Sequence, residues 1–202
     1  MRSAVLALAA AFTSNVSLAL GQDLTCEREM LRAAHWHGIP LGVLYAVGLT
    51  ETGRGDALRP YALNIEGRAV YLSDSRAALE RFRAAQQAGA RSIDIGCMQI
   101  NHRFHGRNFA SLEDMLEPAK NVDYAARFLR QLREREGSWT MAVARYHAGP
   151  DNDPAQKRYV CRVIANMVAS GFSNWTEEAR AFCASAQGGP LHATYQAAAA
   201  KP

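Results

Sequence analysis

The residue best placed to do acid chemistry is a glutamate at the end of an apolar run. Pro40 opens PLGVLYAVGLTETG, which is apolar on nearly every face and is closed by Gly53. A helix apolar all round is a buried one. Glu51 falls in its last turn, on the face shared by Leu44, Val47 and Gly48 under the three-and-four rule. Burial disfavours a charged carboxylate and raises the carboxyl's pKa. A carboxyl still protonated near neutral pH can protonate a leaving-group oxygen. A glutamate at a fraying helix end, facing solvent, has the same spacing, and the helix alone does not separate the two.

Other polar groups offer less. His35 and His37 are two apart on a helix and point to different faces, while His102 and His105 flank Arg103-Phe104. Without a CxxC or a nearby His pair, the cysteines carry no metal signature, so no metal and no cofactor are expected. Trp36, Trp139 and Trp175 read as core or helix-packing residues. The segment DIGCMQIN, residues 94 to 101, looks like a strand from Ile93 to Ile100 interrupted by Gly96-Cys97 and ending on amides. A mid-strand glycine marks close approach of another group.

The elements that position these residues are mostly helical. An amphipathic helix from Leu24 to His37 stops at Gly38-Ile39-Pro40. After the Glu51 helix, YALNIEGRAVYL reads as a hairpin around Glu66-Gly67-Arg68. Asp74 or Ser75 can cap the next helix, which closes on Gly89. Pro118 leads a helix to about Glu136, Ser138 caps WTMAVARYHAG, and Pro154 opens the last long helix. A short helix follows near Trp175 to Cys183. The expected architecture is mainly α, one helical domain with a small antiparallel β-hairpin or sheet insertion.

The 202 residues are 49% hydrophobic and 21% charged, which suits one globular core. Arg2, the apolar run Ala4 to Phe12 and small residues before Gly21 make residues 1–21 a signal-peptide pattern, too short for the ~20 residues of a membrane span. This places the domain at 22–185 in the periplasm with no transmembrane anchor after cleavage. The Gly-, Ala- and Pro-rich residues 186–202 are expected to be disordered or to fold only on a partner. The net charge of +4 is weakly basic, and its Lys and Arg residues are dispersed, which argues against nucleic-acid binding. Cys26, Cys97, Cys161 and Cys183 suggest two disulfides in an oxidising compartment. Of the three connectivities, Cys97–Cys161 with Cys26–Cys183 is favoured, tying the first mature helix to the last.

Four motifs in order, LTETG, GCMQIN, ARYHAGP and KRYVCRV, resemble the SLT-type catalytic domain of the lytic transglycosylases, lysozyme-like enzymes that cut peptidoglycan. DIGCMQIN is most similar to the small members that serve secretion, conjugation and flagellar machines. The resemblance covers about Leu24 to Met167. It implies that Glu51 is the catalytic acid and that Tyr159 orients it. It also implies that Thr52, Met98, Gln99 and Tyr146 contribute to substrate binding, with Gly96 letting the glycan come close. The implied partners are peptidoglycan glycan strands and a component of one such machine. Thr52 stands where the family has Ser, Cys97 where it has Leu, and His147 where it has Asn. Between Glu51 and Gln99 the chain is longer than the family pattern by roughly the hairpin and the Ser75 helix.

Glycosidases of the ordinary kind use two carboxyl groups. Asp56, Glu66, Asp74 and Asp94 are available, each equally explained by turn or surface chemistry. The resemblance implies that a second carboxylate is unnecessary, because closure of a 1,6-anhydro ring on N-acetylmuramic acid consumes no water. A lysozyme-type hydrolase and a non-catalytic wall-binding scaffold are the alternatives.

Overall fold

The computed structural model describes residues 24–53, 57–149 and 153–184. The signal-peptide pattern, the tail 186–202 and Asp56 lie outside the described residues.

Helix α1 (Thr25–His37) ends where Gly38 turns left-handed and donates its N–H to the Ala34 carbonyl. Pro40 then starts α2 (Leu41–Thr52), whose Gly42, Val43, Leu44, Ala46, Val47, Gly48 and Thr52 are buried. Where α1 packs on α2, the Met30 methyl sits against Gly48 and would have to shift for a Cβ there. Strands β1 (Ala62–Ile65) and β2 (Arg68–Tyr71) form the expected hairpin. Its two central residues, Glu66 and Gly67, both have positive φ, at 50° and 82°. That matches a type I′ turn, whose twist suits a two-residue hairpin.

The expected strand from Ile93 to Ile100 is instead two strands, β3 (Ile93–Ile95) and β4 (Ile100–Asn101), joined by a tight turn. The turn forms because Gly96 is left-handed, at φ 78°, and the Gln99 N–H closes back on the Gly96 carbonyl at 3.1 Å. The sheet is antiparallel throughout, in the order β2-β1-β3-β4. Helix α3 (Ser75–Gln87), capped by Asp74 at the Ala77 N–H, packs its Ala78, Phe82 and Ala85 towards the core. It contacts β1 and α5 (Leu112–Leu116), so the Ser75 helix covers the sheet. Helix α4 (His102–His105) and α5 are short elements that the sequence did not suggest.

The long helices are α6 (Pro118–Glu136), α7 (Trp139–Ala148) and α8 (Asp153–Ala169). Helix α1 packs on α6, α2 on α8, and α7 on both α6 and α8. The core joins these helices to the sheet through Leu44, Leu63, Ile95, Met98, Leu129 and Tyr159. Among the described residues no helix is long and apolar enough to cross a membrane. Trp139 and Trp175 are half-buried, but Trp36, expected to pack, is 81% exposed on the outer face of α1.

The disulfides correct the favoured connectivity. Cys26 is bonded to Cys97, and Cys161 to Cys183, with Cα separations of 5.7 and 5.6 Å. The first ties α1 to the turn between β3 and β4. The second ties α8 to α9 (Glu177–Ala184), which packs against it.

Candidate active site

Glu51 lies near the end of α2, which α8 packs against. The Tyr159 hydroxyl, on α8, donates a hydrogen bond of 2.5 Å to Glu51 Oε1. Tyr159 itself is 1% exposed, whereas Glu51 is half-buried. Burial pushes the Glu51 carboxyl up from 4.5 to about 7. The Tyr159 hydrogen bond acts against this by favouring the ionised form, the negative charge of Asp94 adds to it, and Arg162 opposes it. Glu51 is thus close to an even balance of acid and carboxylate at neutral pH, as a group that gives a proton and takes one back must be.

Tyr159 is held from two other directions. The His147 ring stacks on it at 4.2 Å with planes 3° apart, and the Arg162 guanidinium lies 5.6 Å from its ring centre. Thus His147, at the family's Asn position, takes part in ring stacking. Partial burial against Tyr159, with Arg162 nearby, holds its imidazole below its ordinary pKa.

The turn at residues 96 to 99 is tied to α7. Tyr146, half-buried on α7, donates its hydroxyl to the Met98 carbonyl at 2.8 Å. Burial and the Glu51 charge push the Tyr146 phenol well above its ordinary pKa, so it stays a donor. Gln99 is left-handed, with φ 44°, a conformation that costs a residue with a Cβ roughly 1–2 kcal/mol. Its side-chain amide turns back to donate to the carbonyls of Gly96, at 3.0 Å, and Ala62, at 3.2 Å.

Three expectations from the resemblance are revised here. Met98 does not line a groove: its side chain is fully buried, and only its carbonyl serves the site, by fixing Tyr146. Thr52 is 3% exposed, and its hydroxyl lies 3.3 Å from the Gly48 carbonyl and 3.2 Å from the Cys97 carbonyl. It ties the end of α2 to the turn. Gly96 makes room for a protein group, since a Cβ there would come 2.7 Å from the Asn121 amide nitrogen.

Asn121, which sequence reasoning missed, braces the turn. Fully buried on α6, it donates to the carbonyls of Ile95 and Met115 and accepts from the Met98 N–H at 3.0 Å. The signal for it was weak: a polar residue beside Val122 in an otherwise periodic helix.

Of the other carboxylates, Asp94 is the one whose charge is felt at Glu51. It pairs across the sheet with Asn101, whose amide donates to it at 2.6 Å, and burial raises its pKa. Glu66 accepts from the Arg91 and Ser92 N–H groups, which hold it below the usual range, and Asp74 caps α3. Both are structural. Among the described residues no three His, Cys, Asp or Glu side chains gather as metal ligands would.

The family model described as transglycosylase SLT domain matches residues 59–166, more than half of the chain. That span contains Gln99, Tyr146 and Tyr159 and begins after Glu51. No curated protein and no solved structure matches the chain.

Proposed function

The chain belongs to the transglycosylase SLT domain family, whose type of function is lytic action on peptidoglycan, and we propose that Glu51 is its single catalytic acid and base. The observation that carries this reading is the half-buried Glu51 carboxyl, with its pKa near 7, bonded to a buried tyrosine.

In the proposed reaction, protonated Glu51 gives its proton to the oxygen between N-acetylmuramic acid and N-acetylglucosamine as the β-1,4 bond breaks. The positive charge that develops at the muramyl C1 is stabilised by the substrate's own acetamido oxygen. Glu51, now ionised, takes the proton from the C6 hydroxyl, whose oxygen bonds to C1 and closes the 1,6-anhydro ring. The carboxyl ends as it began, and no water is consumed. Tyr159 is a positioning residue in this scheme, aiming Oε1 and steadying the ionised form between the two proton transfers. Gln99 and Tyr146 belong to the groove wall.

A periplasmic enzyme making local gaps in the wall for a secretion, conjugation or flagellar machine is the setting we propose. Two disulfides suit an oxidising compartment, and the DIGCMQIN motif resembles the small members that serve such machines. The hydrolase alternative needs a base to activate water, and among the described residues Asp94, felt electrostatically at Glu51, is the one placed to serve. Digestion in water enriched in heavy oxygen separates the two. Anhydro closure leaves the new muramyl ends unlabelled, whereas hydrolysis labels each one.

A further inference from the structure

Helix α8 carries Arg158 and Arg162 one turn apart on its exposed side, with the buried Tyr159 beside them. Together with His147, Ala155 and Tyr159 they line an open cleft of about 410 Å³. The cleft adjoins the candidate active site, because Tyr159 belongs to both: its ring forms the cleft wall and its hydroxyl bonds Glu51.

Two of the residues that line this cleft are arginines. Among the described residues its lining includes no carboxylate and neither guanidinium is in an ion pair. Several arginines elsewhere on the surface are paired, such as Arg32 with Glu29 and Arg83 with Glu113, and others such as Arg81, Arg103 and Arg107 are not, but Arg158 and Arg162 are the two that line a cleft beside Glu51's tyrosine partner. Like charges four apart destabilise a helix, so helix stability does not account for Arg158 and Arg162. Two guanidinium forks on one face of a cleft fit a carboxylate, which they can hold by paired charge-assisted hydrogen bonds. His147 is held below its ordinary pKa, so at neutral pH it offers the cleft a hydrogen-bonding ring and not a third cation.

Peptidoglycan has such carboxylates. Its muramic acid carries a short peptide joined by an amide bond to the lactyl carboxyl group, and that peptide ends in and bears free carboxylates. A muramyl unit being cut at Glu51 would carry its peptide close to the neighbouring cleft. We infer that the Arg158–Arg162 cleft binds a carboxylate of this stem peptide, so that the protein selects peptide-bearing glycan over bare glycan. The inference rests on the proposed action at Glu51, but its test does not require turnover.

The test is binding of soluble tetrasaccharide fragments to the Glu51→Gln protein, followed by calorimetric titration. Three fragments are compared: peptide-bearing, peptide-free with its lactyl carboxylate exposed, and peptide-bearing with the peptide carboxylates amidated. The peptide-bearing fragment should bind about tenfold more tightly than either of the others, the scale of one charge-assisted hydrogen-bonded pair. Adding Arg158→Gln should bring that ratio close to one, while Arg158→Lys should keep part of it, because charge remains but the fork is lost. Equal binding of all three fragments overturns the inference. So does an amidated fragment that binds as well as the charged one, or a ratio that Arg158→Gln leaves unchanged. Tight binding of the peptide-free fragment alone would assign the cleft to the lactyl carboxylate, and that also overturns it. Absence of cleavage by the unmodified protein would instead count against the proposed reaction and leaves these binding ratios to be judged by themselves.

Discussion

Glu51 and Tyr159, 108 residues apart in the chain, are joined by a 2.5 Å hydrogen bond that α2 and α8 hold in place by packing on each other. The bond lowers the Glu51 pKa while burial raises it, and burial has the larger effect. A buried donor opposite a half-buried acid lets the carboxyl be an acid at neutral pH without making its ionised form too costly.

Removing that donor has a signed consequence. Tyr159→Phe deletes the interaction that favours ionised Glu51, so the Glu51 pKa should rise further. The alkaline limb of kcat/KM, which requires protonated Glu51, should centre on about pH 7 in the unmodified protein and move to higher pH in Tyr159→Phe. The maximum rate should fall about tenfold, the equivalent of one hydrogen bond lost in the transition state. A pH–rate profile that keeps its limb in place would contradict the assigned role of Tyr159.

Stability should carry the same signature. The folded pKa of Glu51 lies above its unfolded value, so the folded chain holds this proton more tightly between pH 4.5 and about 7. Its contribution is therefore present at low pH and is lost as pH rises through that window. Glu51→Gln does not titrate. Its stability relative to the unmodified protein should improve by on the order of 2 kcal/mol from acid to mildly alkaline pH. Chemical denaturation at the two pH values measures this directly.

How far the sequence discloses this site depends on the kind of signal. The helices were legible because Pro40, Pro118 and Ser138 mark their starts and their apolar residues recur with the right period. Glu51 stood out as one carboxylate at the end of an apolar helix. The Ile93 to Ile100 segment misled, because its alternation suits a strand, whereas a left-handed Gly96 folds it into a hairpin turn. The burial of Met98 and Thr52 was not legible for a related reason. A motif shows which residues recur together, but not which of them face inward. Asn121 was illegible, since its three hydrogen bonds go to backbone groups that come together only in the folded chain. Cysteine spacing likewise left the connectivity open, which depended on α1 lying against the turn.

The turn at residues 96 to 99 should be sensitive to substitution. Gly96→Ala forces a Cβ against the Asn121 amide at a left-handed φ and should cost roughly 2–4 kcal/mol. Asn121→Ala leaves the buried Met98 N–H and two carbonyls without their partner and should cost about 3 kcal/mol. Urea unfolding of each variant checks the values, and a loss below 1 kcal/mol in both would show that the turn is held by something else.

Disulfide removal should separate two effects. Replacing Cys26 and Cys97 with Ala opens a link across 71 residues, and replacing Cys161 and Cys183 opens one across 22, so the first should cost about 4 kcal/mol and the second about 3. The first also frees the turn that carries the Tyr146 acceptor, so it should depress activity even at temperatures where the protein stays folded. The second should act on stability alone. Peptide mapping without reduction verifies the pairing beforehand.

The central claim, that Glu51 alone moves both protons, is tested most directly by digesting purified peptidoglycan with the unmodified protein and with Glu51→Gln and weighing the released muropeptides. The account predicts products one water lighter than hydrolytic ones from the unmodified protein and none from the variant. Full-weight reducing ends, or light products that persist in Glu51→Gln, would contradict it.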